Sequence, residues 1–270
     1  MLTIAYGAPL KILVAVRGHP FDRNAFDGLF ADMAGISATM VDQPAAAQLM
    51  NPEGMAPYDV LVLYDMPGLD FDAATDKPAY VDPGHALRRG FCALLDQGKG
   101  IVALHHALAG WPAWPGYAET LGGAFLYRPG PLRGRARPDS GYRHEVDYTA
   151  EVVAPDHPVM AGIPPLFPMT DELYLGEVFE GDVTPLIRAR HAFTRDGFHS
   201  ATAAMEGRMF SNDGWAHEDG SNLIGWTRRA RNSPLVYLQP GDDQRTYDNP
   251  VYRRLVENAI RWVASPEARA

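Results

Sequence analysis

Cysteine is almost absent: Cys92 is the only one in 270 residues. An intrachain disulfide framework and an all-cysteine metal site are thereby excluded. Cys92 lies in a stretch of helical periodicity, where a core thiol is the expected reading rather than a nucleophile. No apolar run reaches the length of a membrane-spanning helix. The amino terminus, MLTIAYGAPLKILVAV, lacks the early positive charge and small-residue cleavage site of a secretory signal. The expected location is therefore cytoplasmic, and the apolar part of that segment reads as a first strand. Positive charge is in deficit, with 24 Lys and Arg against 33 Asp and Glu and a formal net charge of -9. Without a dominant basic stripe, neither nucleic acid nor an anionic membrane is the expected partner. The local run Arg133, Arg135, Arg137, with Arg143 nearby, reads as a solvated loop.

What remains is an ordinary globular chain, 46% hydrophobic and 21% charged. Its length suits one large α/β domain over residues 1–270. Lys11 to Val16 reads as a buried strand, and a helix with apolar positions Phe26, Leu29, Phe30 and Met33 follows from Asp22 or Arg23. Short strands are expected at Ala38 to Val41 and Tyr58 to Tyr64. A polar excursion covers 70–84, a helix His85 to Gln97, and then comes the stretch GKGIVALHHALAGW, Gly98 to Trp111. Strands alternating with helices predict a doubly wound, mostly parallel sheet with right-handed crossovers. Further along, a helix through Trp114, Tyr117 and Leu121 stops at Gly122-Gly123. Strands follow at His144 to Val153, Pro185 to Arg190 and Leu235 to Leu238, with an ordered segment starting at Thr170. A closing helix is capped by Asn249. Loop-rich insertions are expected near 70–84, 126–143 and 191–220, the last covering the site.

In open α/β sheets ligands bind at the carboxyl ends of strands, and four predicted strand ends carry ionisable groups. The first ends at His19, the third at Asp65, the fourth at His105 and His106, and the last at Asp242 and Asp243. Asp171 and Glu172 add a carboxylate pair. Histidines beside carboxylates permit two chemistries: general acid–base catalysis, or a divalent ion such as zinc with His105 and His106 as its first ligands. No HExxH-type spacing decides between them. His105, His106, His19 and Glu172 are the candidate catalytic residues. Asp65, Asp171 and Asp243 are candidates for binding substrate. Trp111, Trp114 and Trp215 either stack on a sugar ring or fill the core. The turn at His105 has the shape of a nucleophile elbow, but with histidine where Ser or Cys would stand, acyl-enzyme chemistry is disfavoured.

Five segments together resemble the ThuA-like (trehalose-utilisation) family of the class I glutamine amidotransferase-like superfamily. They are GHPFDRNAF (Gly18 to Phe26), the block Gly98 to Gly123, DHPVMAGI (Asp156 to Ile163), TDELY (Thr170 to Tyr174) and the carboxyl-terminal SNLIGW…SPLVYLQPGDD…YDNPVYRRLVENAIRWVAS. The resemblance implies a flavodoxin-like parallel sheet and, with His105 at the elbow, no glutaminase activity. Members often carry Gly-His-Asp where this chain has Gly241-Asp242-Asp243, so a histidine available in relatives is missing here. The family's biology implies a carbohydrate partner: a disaccharide, its 3-keto form or a keto-glycoside. The expected function is an enzyme acting on it as an isomerase, a lyase or a metal-assisted hydrolase. The alternative is a non-catalytic sugar-binding or regulatory protein on an amidotransferase-like scaffold. A homodimer is the default assembly.

Overall fold

A computed structural model describes residues 9–73 and 78–269. Residues 1–8 of the first-strand reading and 74–77 of the polar excursion lie outside the described residues. The strands of the main sheet are β1 (Leu10–Val16), β2 (Ile36–Asp42), β3 (Val60–Leu63), β4 (Gly100–Leu104), β5 (Gly141–Val152), β6 (Leu166–Leu175), β7 (Thr184–Arg190), β8 (His199–Ser200), β9 (Leu223–Ala230) and β10 (Ser233–Leu238). Their spatial order is β6-β5-β7-β9-β10-β4-β3-β1-β2, with β8 pairing β5.

The parallel part, β2-β1-β3-β4-β10, is the doubly wound sheet expected from the alternation of strands and helices. Strands β1, β3, β4 and β10 read as mainly apolar runs because both faces are covered, whereas the edge strand β2 is only half-buried, with Ser37 and Thr39 exposed. The two-residue period splits β1 between two cores. Ile12, Val14 and Val16 pack with Phe26 and Leu29 of helix α1 (Arg23–Ala31) and with the closing helix Pro250–Ala264. Leu13 and Ala15 pack with Leu87 and Phe91 of the helix Gly84–Asp96 on the opposite face. Asp22 caps α1 and Asn249 caps the closing helix through their side chains, each meeting amide groups that a helix start leaves unpaired.

The sheet then continues antiparallel through β9, β7, β5 and β6. Strand β9 has no counterpart in the sequence expectations. Its tail, Thr227-Arg228-Arg229, is polar, and the β9–β10 hairpin turns on Arg231-Asn232 without the glycine that marks such turns. Thr170-Asp171-Glu172 opens no new segment, since β6 already runs from Leu166. The loop regions are less bare than expected: 126–143 contains the short hairpin Gly130–Leu132/Arg135–Arg137, and 191–220 contains β8 and the helix Ala201–Met205.

Neighbouring strands are about 4.8 Å apart. Five steps separate β6 from β4 in the sheet order, about 24 Å if the sheet were flat. Glu172 of β6 nevertheless touches His105 beyond the end of β4. Twist accumulated along the sheet curls its antiparallel end over the carboxyl edge of the parallel strands.

Candidate functional site

The site grows from the end of β4. After Leu104 the backbone turns at His105, with φ of +40°, into a single 3-10 turn, His105–Ala109. This is the sharp strand-to-helix turn expected of the elbow. A non-glycine residue in the left-handed region is held against a cost of about 1–2 kcal/mol, and here the surroundings hold it on every side. The His105 ring is fully buried, with Nδ1 donating to the Gln239 carbonyl. Nε2 lies 3.1 Å from Glu172 Oε2 and 2.9 Å from the Tyr174 hydroxyl, whose ring stacks on the imidazole.

The loop after β10 passes directly above. Gly241 has φ of +138°, and a Cβ there would come within 2.6 Å of the Tyr252 hydroxyl and 3.3 Å of His105 Cβ. Only glycine both adopts that backbone and leaves room for it. Asp171 fastens the loop from below. Its carboxylate accepts from the amides of Gly241 (2.6 Å), Asp242 (3.1 Å) and Glu172 (2.9 Å). Asp242 is thereby set with Oδ1 at 3.6 Å from His105 Nε2 and 3.9 Å from His106 Nε2.

A further histidine enters from β5. The β5–β6 register shifts between Arg143 and Val146, and Glu145 has φ of +53°, the mark of a bulge. It directs His144 so that Nδ1 lies 3.0 Å from Glu172 Oε1. Glu172 thus has an imidazole on each oxygen. Burial alone would raise its pKa, but His105 and His144 outweigh burial and hold the carboxyl down at about 2. For His105, burial works toward the neutral ring, yet Asp242 and Glu172 raise its pKa to about 10. His144 is raised by its bond to Glu172. His106 moves the other way, well below the usual histidine value, through burial and the charges of His105 and His19. His19 is also lowered, chiefly by burial.

Two openings meet at this cluster. One is a pocket of about 130 Å³ with His19, His144 and Glu172 at its polar end and Phe125, Tyr127, Tyr142, Tyr174 and Met209 among its walls. Ala201, Ala204 and Met205 close one side of it, so the 191–220 region does cover the site. The other is a groove of about 340 Å³ that runs past His19, His144, Asp242 and Asp243.

Of the residues singled out in the sequence, His19, His105, His106 and Glu172 come together here, with Asp243 at the rim of the groove. Asp243 also caps the following helix and pairs with Arg245. The other expected substrate ligands do not reach the openings. Asp65 is buried at the end of β3, accepting from Gln43 Nε2 at 2.6 Å. Asp171 spends its carboxylate on backbone amides. Trp114 packs against Phe91 and Tyr117 in the core. Trp215 donates to buried Asp139 at 2.9 Å, and Trp111 packs over Gly68, its amide bonded to the Pro67 carbonyl. His105 and His106, both fully buried, line neither opening. The residues absent from the sequence candidates are His144 and Tyr174; Asp242 was counted among the strand-end groups but given no role. Asp242 carried a signal, as a strand end and as the departure from Gly-His-Asp. His144 carried none beyond opening a half-buried strand.

A family model described as trehalose utilisation, ThuA, matches residues 15–263. Among solved structures, a ThuA-like protein from Parabacteroides merdae superposes with a TM-score of 0.64 at 15% identity, covering 95% of this chain and 90% of that one. Another from Bacteroides uniformis gives 0.59 at 18% identity, covering 97% and 94%. A cytoplasmic protein from Salmonella typhimurium LT2 gives 0.56 at 12% identity, covering 94% and 99%. At these identities the likeness is one of fold. No curated protein matches the chain.

Proposed function

The chain belongs to the ThuA, or trehalose-utilisation, family, and from that premise we propose that it is an enzyme of carbohydrate metabolism that moves a proton on a keto-sugar or keto-glycoside. The observation that carries this reading is the Glu172–His144 pair at the polar end of the aromatic pocket. Glu172 occupies Nδ1 of His144, which fixes the ring and leaves Nε2 as the proton-handling atom, the arrangement by which a carboxylate orients a catalytic imidazole. His105 lies behind Glu172, out of reach of either opening, and is a positioning residue. The sequence expectation of a base at His105 or His106 therefore passes to His144.

A carbon–hydrogen bond beside a ketone is acidic because the resulting anion is shared with the carbonyl oxygen. In the proposed step His144 Nε2 takes that proton and leaves an enediolate. Where the carbon that lost its proton bears a hydroxyl, transfer of that hydroxyl proton to the former carbonyl oxygen, with return of the proton from His144 to the former carbonyl carbon, shifts the carbonyl and completes an isomerisation. Departure of a substituent on the next carbon with the electron pair completes an elimination. The aromatic walls supply faces for the sugar ring.

The test is exchange at the carbons flanking the ketone of a 3-keto-disaccharide in heavy water, followed by NMR. The purified protein should accelerate exchange above the buffer rate. His144→Ala and Glu172→Gln should each lower that rate by about 10²–10⁴-fold, the usual share of one acid–base group. A wild-type protein no faster than buffer, or variants that exchange as fast as wild type, overturns the reading. Saturable sugar binding without exchange would favour the binding-protein alternative.

A further inference from the structure

His106 is fully buried, and neither of its ring nitrogens has a hydrogen-bond partner. A buried imidazole without a bond on either nitrogen is a poor structural element, since each lone pair or N–H has given up water for nothing. Its neighbours are themselves metal-ligating groups. The His19 ring meets it edge-on with centroids 3.8 Å apart, and Asp242 Oδ1 lies 3.9 Å from Nε2. One nitrogen from each histidine and one oxygen of Asp242 all lie within 4.8 Å of one another. His19 Nδ1 bonds the Pro20 carbonyl at 2.8 Å, which puts the proton on that nitrogen and leaves the lone pair of Nε2 for a ligand.

We propose that His19, His106 and Asp242 bind a divalent first-row transition-metal ion, zinc or one of its neighbours. Two imidazoles and one carboxylate are a donor set that such ions accept, with coordination positions to spare. Ligand atoms on a tetrahedral zinc are about 3.3 Å apart given bonds near 2.0 Å, so the pair His106 Nε2–Asp242 Oδ1, 3.9 Å apart, would draw in by about 0.6 Å, and no pair in the cluster by more than about 1.5 Å. His105 does not belong to the set, because both of its ring nitrogens are already engaged. This replaces the sequence expectation of His105 with His106 by His19 with His106. Asp242 supplies the third donor. His19 lines both the pocket and the groove, so the free positions of the ion would face whatever enters them.

The site lies beside the His144–Glu172 pair and extends the function proposed above, yet its test reads binding alone. Protein freed of metal with a chelator is titrated with Co²⁺, followed by visible absorption, and with Zn²⁺, followed by calorimetry. The expected result is saturation at one ion per chain, with the ligand-field bands of imidazole-bound cobalt. His19→Ala and Asp242→Asn should weaken binding by at least about 10–100-fold, the loss that even outer partners of metal ligands produce. His19 and Asp242 are partly exposed, so these variants test the site without emptying the core as His106→Ala would. His144→Ala should keep the stoichiometry. Absence of saturable binding to the folded wild-type protein, or binding unchanged in both ligand variants, overturns the proposal. Neither outcome bears on whether proton exchange occurs.

Discussion

His105 and His106 are adjacent in sequence, yet their pKa values are shifted in opposite directions. Against burial, Asp242 and Glu172 raise His105 to about 10, while His106, a residue further on, is lowered by burial among the rings of His19, His105 and Tyr64 with only a more distant carboxylate nearby. Environment decides charge for the carboxylates as well. Glu172 is kept ionised by two histidines, whereas Asp65, equally buried, has only Gln43 on one oxygen and nothing on the other. Burial raises its carboxyl from 3.8 to about 6. The folded protein thus holds the Asp65 proton more tightly than the unfolded chain does. Its ionisation costs nothing below about pH 4, and the cost grows from pH 4 to about pH 6 and stays above that, reaching up to about 3 kcal/mol. Asp65→Asn, which keeps an acceptor for Gln43, should therefore gain about 1–3 kcal/mol at pH 7 in urea unfolding. The gain should vanish near pH 4. An equal difference at both pH values would show that burial of the charge is not the cause.

At the scale of elements, the contact that shapes the site is that of the 239–242 loop with the closing helix. Tyr252 of that helix presents a buried hydroxyl without a partner, and Gly241 passes just above it. Gly241→Ala adds a methyl to a strained backbone and drives it into that oxygen, and should cost about 2 kcal/mol or more. Tyr252→Phe removes an unpaired group and should be close to neutral. Together the two changes should recover part of the loss, because the clash is shared. Urea denaturation of the four proteins measures this coupling. A Gly241→Ala protein as stable as wild type would mean the loop is free to move away, and with it Asp242.

For the whole molecule, the antiparallel strands are not an appendage. Val146, Tyr148, Phe167 and Leu173 of β5 and β6 share one continuous core with Phe26 of α1 and Leu255 of the closing helix. We propose that the chain folds as one unit, so that calorimetry should show one unfolding transition, coincident with loss of near-ultraviolet dichroism. Two separated transitions would identify the antiparallel half as a domain of its own. No helix among the described residues is long and apolar enough to cross a membrane.

The parallel half was legible in the sequence because strands buried on both faces must be apolar throughout, and local periodicity records that. The same logic placed His19, His105 and His106 at one edge, since strand ends in such sheets share a side. The cap at Asn249 was legible too, as was the start of α1 at Asp22 or Arg23, because both signals lie beside the helix they open. The roles of these groups were not local properties. A bulge at Glu145 sets the direction of His144, and a glycine loop sets Asp242. The curl of the sheet brings Glu172 from five strands away to His105. Each depends on packing between residues far apart in the chain, which no window of sequence contains. Which groups lie at the ends of the parallel strands is written locally into the chain, because burial dictates composition. Which of them face a ligand, which are charged and which serve the fold is settled on folding, because exposure and charge follow from neighbours that the chain supplies from elsewhere.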